Sequence, residues 1–99
     1  MILTNLQKRA LKGLAQRMDP LLKVGKLGLT DSLIRSADEA LERHELVKVR
    51  FESFKNKEQK QHRMPELAER TKSLLIARVG HVAVFFRRNP DPEKQRILI

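Results

Sequence analysis

The sequence predicts an α/β domain, an α+β sandwich in the order α-β-α-β-α-β-β, with helices packed on a mixed four-stranded sheet. Three observations predict it. Apolar residues recur at helical spacing in 4–17 and again in 30–45. The stretch LVKVRFESF (46–54) alternates apolar with polar, as a half-buried strand does. LLIARVGHVAVFFRR (74–88) is two apolar runs about Gly80-His81, and glycine in the first central position of a two-residue loop suits a hairpin. Strands joined through helices run parallel with right-handed crossovers, and the closing hairpin adds one antiparallel strand.

Each element has its own signal. In the first helix Leu6, Ala10 and Leu14 keep one face, with Leu11 beside it and Thr4 as N-cap. Gly13 weakens its interior, and Asp19-Pro20 ends the segment. LLKV (21–24) is a short apolar strand. Thr30 or Asp31 caps the second helix, whose buried face is Leu33, Ala37, Ala40, Leu41 and His44. In 46–54, Val47, Val49 and Phe51 lie on one side and Lys48, Arg50 and Glu52 on the other. A third helix starts within KNKEQKQHR (55–63) and runs to about Thr71, with Met64, Leu67 and Ala68 inward. Pro65 leaves two alternatives: a helix that kinks there, or a shorter one with Pro65 in its first turn. Residues 1–90 form one domain and 91–99 an irregular tail, whose apolar end Ile97-Leu98-Ile99 is placed to dock or dimerise. The oligomeric state stays open, with a monomer favoured.

Composition narrows the function. With 99 residues the chain has room for one core. Lys and Arg number 21 against 12 Asp and Glu, a net charge of +9, which favours a polyanionic partner. There is no cysteine, so disulfides, thiolate zinc sites and thiol catalysis are excluded. There is no Trp or Tyr to stack on bases. The N-terminal stretch does not read as a secretory signal, and no segment approaches the length needed to cross a bilayer, so a cytoplasmic protein is expected.

The sharpest local feature is KVGKLGLTDSLI (23–34), where Gly25-Lys26-Leu27-Gly28 joins a strand to a helix. Glycine admits positive φ and close approach by a ligand. A helix N-terminus offers unpaired N–H groups and partial positive charge, and binds anions. Lys23 and Lys26 add full charges. KH domains clamp a nucleic-acid backbone with such a loop. The pattern is not a dinucleotide fingerprint, since the third glycine is missing, and no Lys-Ser or Lys-Thr pair makes it a triphosphate loop. Lys8, Arg9, Lys12 and Arg17 of the first helix and Arg35 of the second make one positive face with the loop if the first helix packs beside it.

LKGLA, VGKLGLTDSLI, ALERHELVKVRF and RVGHVAVFFR, in that order, resemble the YhbY-like RNA-binding proteins. These are single-domain bacterial members of the CRM (chloroplast RNA splicing and ribosome maturation) group. The resemblance spans about residues 4 to 88. It implies a fold similar to the C-terminal domain of translation initiation factor three. It also implies RNA binding through the GxxG loop, association with large-subunit ribosomal RNA precursors and a part in ribosome assembly. On this chain the motif falls on Gly25, Lys26, Leu27 and Gly28, with Lys12 added from the LKGLA stretch and Lys23 by proximity. Two positions depart from the family pattern. Pro65 falls where a helix usually continues, and Thr71-Lys72 where a glycine commonly closes it.

Nothing in the pattern asks for catalysis, a metal or another cofactor. His44, His62 and His81 lack metal-ligand spacing, and no serine has a nucleophile's context. Asp38, Glu42 and Glu45 read as solvated acids pairing with Arg35 and Arg43. The alternative to RNA binding is a ribosome-associated protein-interaction factor. It would use the acidic half of the second helix and the apolar tail, with only non-specific affinity for RNA. DNA binding lacks a recognition helix or zinc module.

Overall fold

The computed structural model describes residues 2–52 and 57–99. Its elements are α1 (Asn5–Ala15), β1 (Leu22–Val24), α2 (Asp31–His44), β2 (Leu46–Phe51), α3 (Lys57–Thr71), β3 (Leu74–Val79), β4 (Val82–Phe86) and a short 3-10 turn (Pro92–Lys94). Three α-helices thus pack on one four-stranded sheet, in the expected order. The strands lie β1-β2-β4-β3. β1 and β2 are parallel, and β4 runs antiparallel to both its neighbours, inserted between β2 and β3.

Local chemistry explains the element ends. Thr4 and Gln7 form a reciprocal capping box at α1. Thr30 caps α2 by accepting from the Leu33 N–H at 3.1 Å. Gly80 turns the β3–β4 hairpin at φ +59°. Val79 pairs with Val82 across it. α3 passes through Pro65 rather than starting there. Pro65 is exposed, and the core contacts of α3 come from Met64, Leu67 and Ala68. At the end of α3, Lys72 stands at φ +54°, a conformation that favours glycine. The Ser73 N–H reaches Ala68 O and the Lys72 N–H reaches Glu69 O, so the helix closes in an ordinary two-bond Schellman cap. Ser53 and Phe54, the expected end of the second strand, lie outside the described residues.

The sheet is sandwiched. One face carries Val47, Val49, Phe51, Ala83 and Phe85 against α2 and α3. The other packs Leu46, Val84 and Phe86 against Leu11 and Ala15 of α1 and against Ile97 and Ile99. The inward stripe of α1 is therefore Leu11 and Ala15, one notch round from the expected Leu6-Ala10-Leu14 face, which is exposed. α1 carries two apolar stripes, and only packing on the sheet chooses between them. His44 likewise is exposed, because α2 ends at that residue.

The tail docks through Glu45. This residue is fully buried and sits at φ +64°. Its carboxylate accepts the N–H groups of Asn89 (2.6 Å), Ile97 (3.0 Å) and Arg96. Burial alone would raise the carboxyl. The N–H donors and the nearby Arg88 charge outweigh it and hold the group below its usual range. Asp38 and Glu42 pair with Arg87, at 2.5 and 3.8 Å, rather than with Arg35 or Arg43. Of the two surfaces expected to serve a protein partner, Glu45, Ile97 and Ile99 are thus engaged within the domain, while Asp38, Glu39, Glu42 and Leu98 stay exposed.

Candidate nucleic-acid interface

Gly25 to Gly28 form a tight turn closed by the Gly28 N–H donating to Gly25 O at 3.0 Å. Gly28 has φ +69°, a conformation that side chains rarely adopt. Nothing lies within 4 Å of where a Cβ would stand at either glycine, so the turn faces open space. Leu27 at its tip is 87% exposed. Among the described residues, the N–H groups of Lys26, Leu27 and Leu29 have no protein acceptor. The turn therefore presents free donors, and the positive end of α2 begins directly after it. Asp31, in the first turn of α2, puts one carboxylate at this end. It lies 3.6 Å from the Arg70 guanidinium, which offsets part of its charge.

The expected cations divide around this turn. Lys23 and Lys26 are exposed on β1 and on the turn itself. β1 is an edge strand, so both stand at the rim of the sheet. Arg35 is exposed one turn into α2, on the sheet face that α2 and α3 cover. α1 packs on β2 and β3, across the opposite face, rather than beside the loop. Lys12 lines a groove on that face, while Lys8 and Arg9 are exposed one turn earlier on α1. The two helices therefore flank the loop from opposite sides of the sheet instead of forming one continuous positive face.

Two cations join them that pattern reading did not single out. Arg70, in the last turn of α3, reaches across to Leu29 O at 3.5 Å and to Asp31. Lys48 of β2 donates to the carbonyls of Ala15 and Met18, both at 3.0 Å, and so closes the C-terminal end of α1. Neither has a local signature: Arg70 needs α3 beside α2, and Lys48 needs α1 over β2. Among the described residues, no group of three His, Asp or Glu could hold a metal, and no helix is long and apolar enough to cross a membrane.

Fold and loop define a small α+β domain with an open glycine turn set among cations. The CRS1 / YhbY (CRM) domain model matches residues 3–87, and the chain belongs to that family. It is 32% identical over 94 residues to Probable RNA-binding protein PA4753 of Pseudomonas aeruginosa, covering 95% of this chain and 89% of the relative. To Probable RNA-binding protein YqeI of Bacillus subtilis it is 33% identical over 91 residues, covering 91% and 93%. The solution structure of SAV1595 from Staphylococcus aureus, described as a candidate RNA-binding protein, superposes with a TM-score of 0.78 at 32% identity. That match covers 98% of this chain and 100% of the other.

Proposed function

We propose that this protein binds RNA, gripping the sugar–phosphate backbone at the Gly25–Gly28 turn, and that its target is ribosomal RNA of large-subunit precursors, whose assembly it assists. The observation that carries the reading is the turn itself: open space at both glycines, free N–H donors, and the start of α2. Such a site suits a phosphate, to which free amides and a helix N-terminus donate. Lys23 and Lys26 supply charge at the same rim, with Arg70 offsetting Asp31 beside them, and each phosphate neutralised adds to affinity and to its salt dependence. The names of the relatives support RNA as the ligand. The ribosomal target is what the resemblance to YhbY-like proteins implies. No catalytic role is part of this reading. Crosslinking in cells, followed by mapping of the bound RNA, tests it. Enrichment on large-subunit ribosomal RNA precursors is expected; an even spread over all cellular RNA would reject the target.

A further inference from the structure

α1 covers only part of its sheet face. Beyond its last turn a groove of about 440 Å³ remains, with Lys12, Ala15 and Gln16 on one wall and Lys48 beside them. Its floor is Ala77, Val79, Val82 and Val84. Val79 is 77% exposed, unusual for a valine paired in a sheet. The groove falls in the size range of small-ligand sites, roughly 300–1,000 Å³.

The strand register ties this floor to the loop. Lys23 pairs with Arg50, Arg50 with Val82, and Val82 with Val79, one continuous row across the sheet. Lys23 thus stands about 10 Å from Val82, two strand spacings, and Gly25 follows two residues later. Lys48 spends two of its three N–H donors on Ala15 and Met18, which leaves one for a ligand in the groove. Arg50 is engaged by Glu52 at 2.8 Å, so Lys12 and Lys48 carry the positive charge of the groove, and Lys23 stands further along the row toward the turn.

We propose that this open half of the sheet face is a nucleotide shelf: its aliphatic floor takes an unpaired base of the RNA strand whose backbone is held at the glycine turn, while Lys12 and Lys48 flank the adjoining phosphate. The proposal rests on the RNA reading above. An apolar floor inside a cationic rim matches a nucleotide, which joins an apolar ring face to an anionic link. Continuity with the turn selects a nucleic-acid strand over an acidic peptide. A base stacked within a helix cannot lay its ring face on the floor, so the shelf confers preference for unpaired RNA next to the gripped phosphate. With aliphatic side chains and no hydrogen-bonding group on the floor, it selects single-strandedness rather than sequence.

The test compares two probes of equal charge: an eight-nucleotide oligouridylate, and a strand of the same length built of abasic ribose units. Wild type is expected to bind the base-bearing strand about fivefold more tightly, from apolar contact alone. Val79→Asn should erase that difference while keeping the salt slope, because phosphate contacts are unchanged. Val79→Leu should retain the preference. Lys26→Asp with Leu27→Asp should weaken both strands equally and leave the ratio intact. Equal binding of the two strands by wild type, or a preference that survives Val79→Asn, overturns the shelf while the loop reading stands. Self-association in sedimentation that Val79→Asn abolishes, with the probe ratio unmoved, overturns it in favour of a second copy of the chain. Failure of the loop variant to weaken either strand overturns the loop reading and the shelf with it.

Discussion

Replacing Glu45 with glutamine isolates the device that fastens the tail. The carboxylate is an acceptor only, and it meets the backbone N–H groups of Asn89, Arg96 and Ile97. Glutamine keeps one acceptor oxygen and sets an NH₂ donor in place of the other. At least one backbone N–H then faces a donor in a buried site, and on one side of the carboxylate two do. Each orphaned buried group costs roughly 1–3 kcal/mol, so Glu45→Gln should destabilise by about 2–4 kcal/mol. A domain of this size has about 5–15 kcal/mol in hand and stays folded. Urea unfolding at pH 7 measures the difference, and amide exchange at Arg96 and Ile97 locates it. The sign with pH follows from the lowered carboxyl. Wild-type stability from this group is fully present above the unfolded glutamate value, about 4.3, and is lost as pH falls through the depressed folded value. Wild type and variant should therefore converge in acid, where protonated Glu45 also carries a donor. RNA affinity of the folded variant should be unchanged, because Glu45 and the loop lie at opposite ends of α2, roughly 20 Å apart at 1.5 Å per residue. A stability difference equal at pH 7 and at pH 2.5 would mean that the charged carboxylate of Glu45 does not fasten the tail.

The two glycines of the turn should separate folding from binding. Gly25→Ala meets no atom and needs no positive φ, so melting should show unaltered or slightly raised stability. Its methyl group nonetheless obstructs an approaching backbone, and filter binding should show RNA affinity falling roughly tenfold, about one lost phosphate contact. Gly28→Ala should cost about 1 kcal/mol in the same melts, because φ is +69° there. Lys72→Gly should stabilise by about 1 kcal/mol, relieving a side chain at φ +54°, as chemical denaturation will register. Pro65→Ala should raise amide protection across the N-terminal half of α3 by up to about 3 kcal/mol, since proline removes an internal hydrogen bond.

What pattern reading captured was local. Thr4, Thr30 and Gly80 act through neighbours two to four residues away, and each stands where its spacing placed it. Alternation in 46–51 placed Val47, Val49 and Phe51 on one core face, because β2 is central and α2 and α3 cover that side. What escaped was tertiary. Leu6 and Leu14 have the spacing of a buried stripe, yet α1 turns Leu11 and Ala15 inward, and Lys48 seals the helix end only from that orientation. Glu45 reads as one more surface acid, since its donors lie 44 to 52 residues further on. The glycine turn between β1 and α2 was legible because Gly25 and Gly28 bracket it in the chain, and Lys23 and Lys26 stand exposed beside it. Arg70 and the valine floor were not, because they reach the site through the packing of α3 and the pairing of β4 with β3.

If amides at this one bend hold a phosphodiester, a single titration will show it. Ribosomal RNA is titrated at fixed salt into wild type and into the Lys26→Asp, Leu27→Asp double variant, with both melting curves recorded. An unmoved melting curve is expected, since Lys26 and Leu27 are exposed, with affinity reduced by about a hundredfold from charge reversal at the grip. Equal affinity in two equally folded proteins would contradict it.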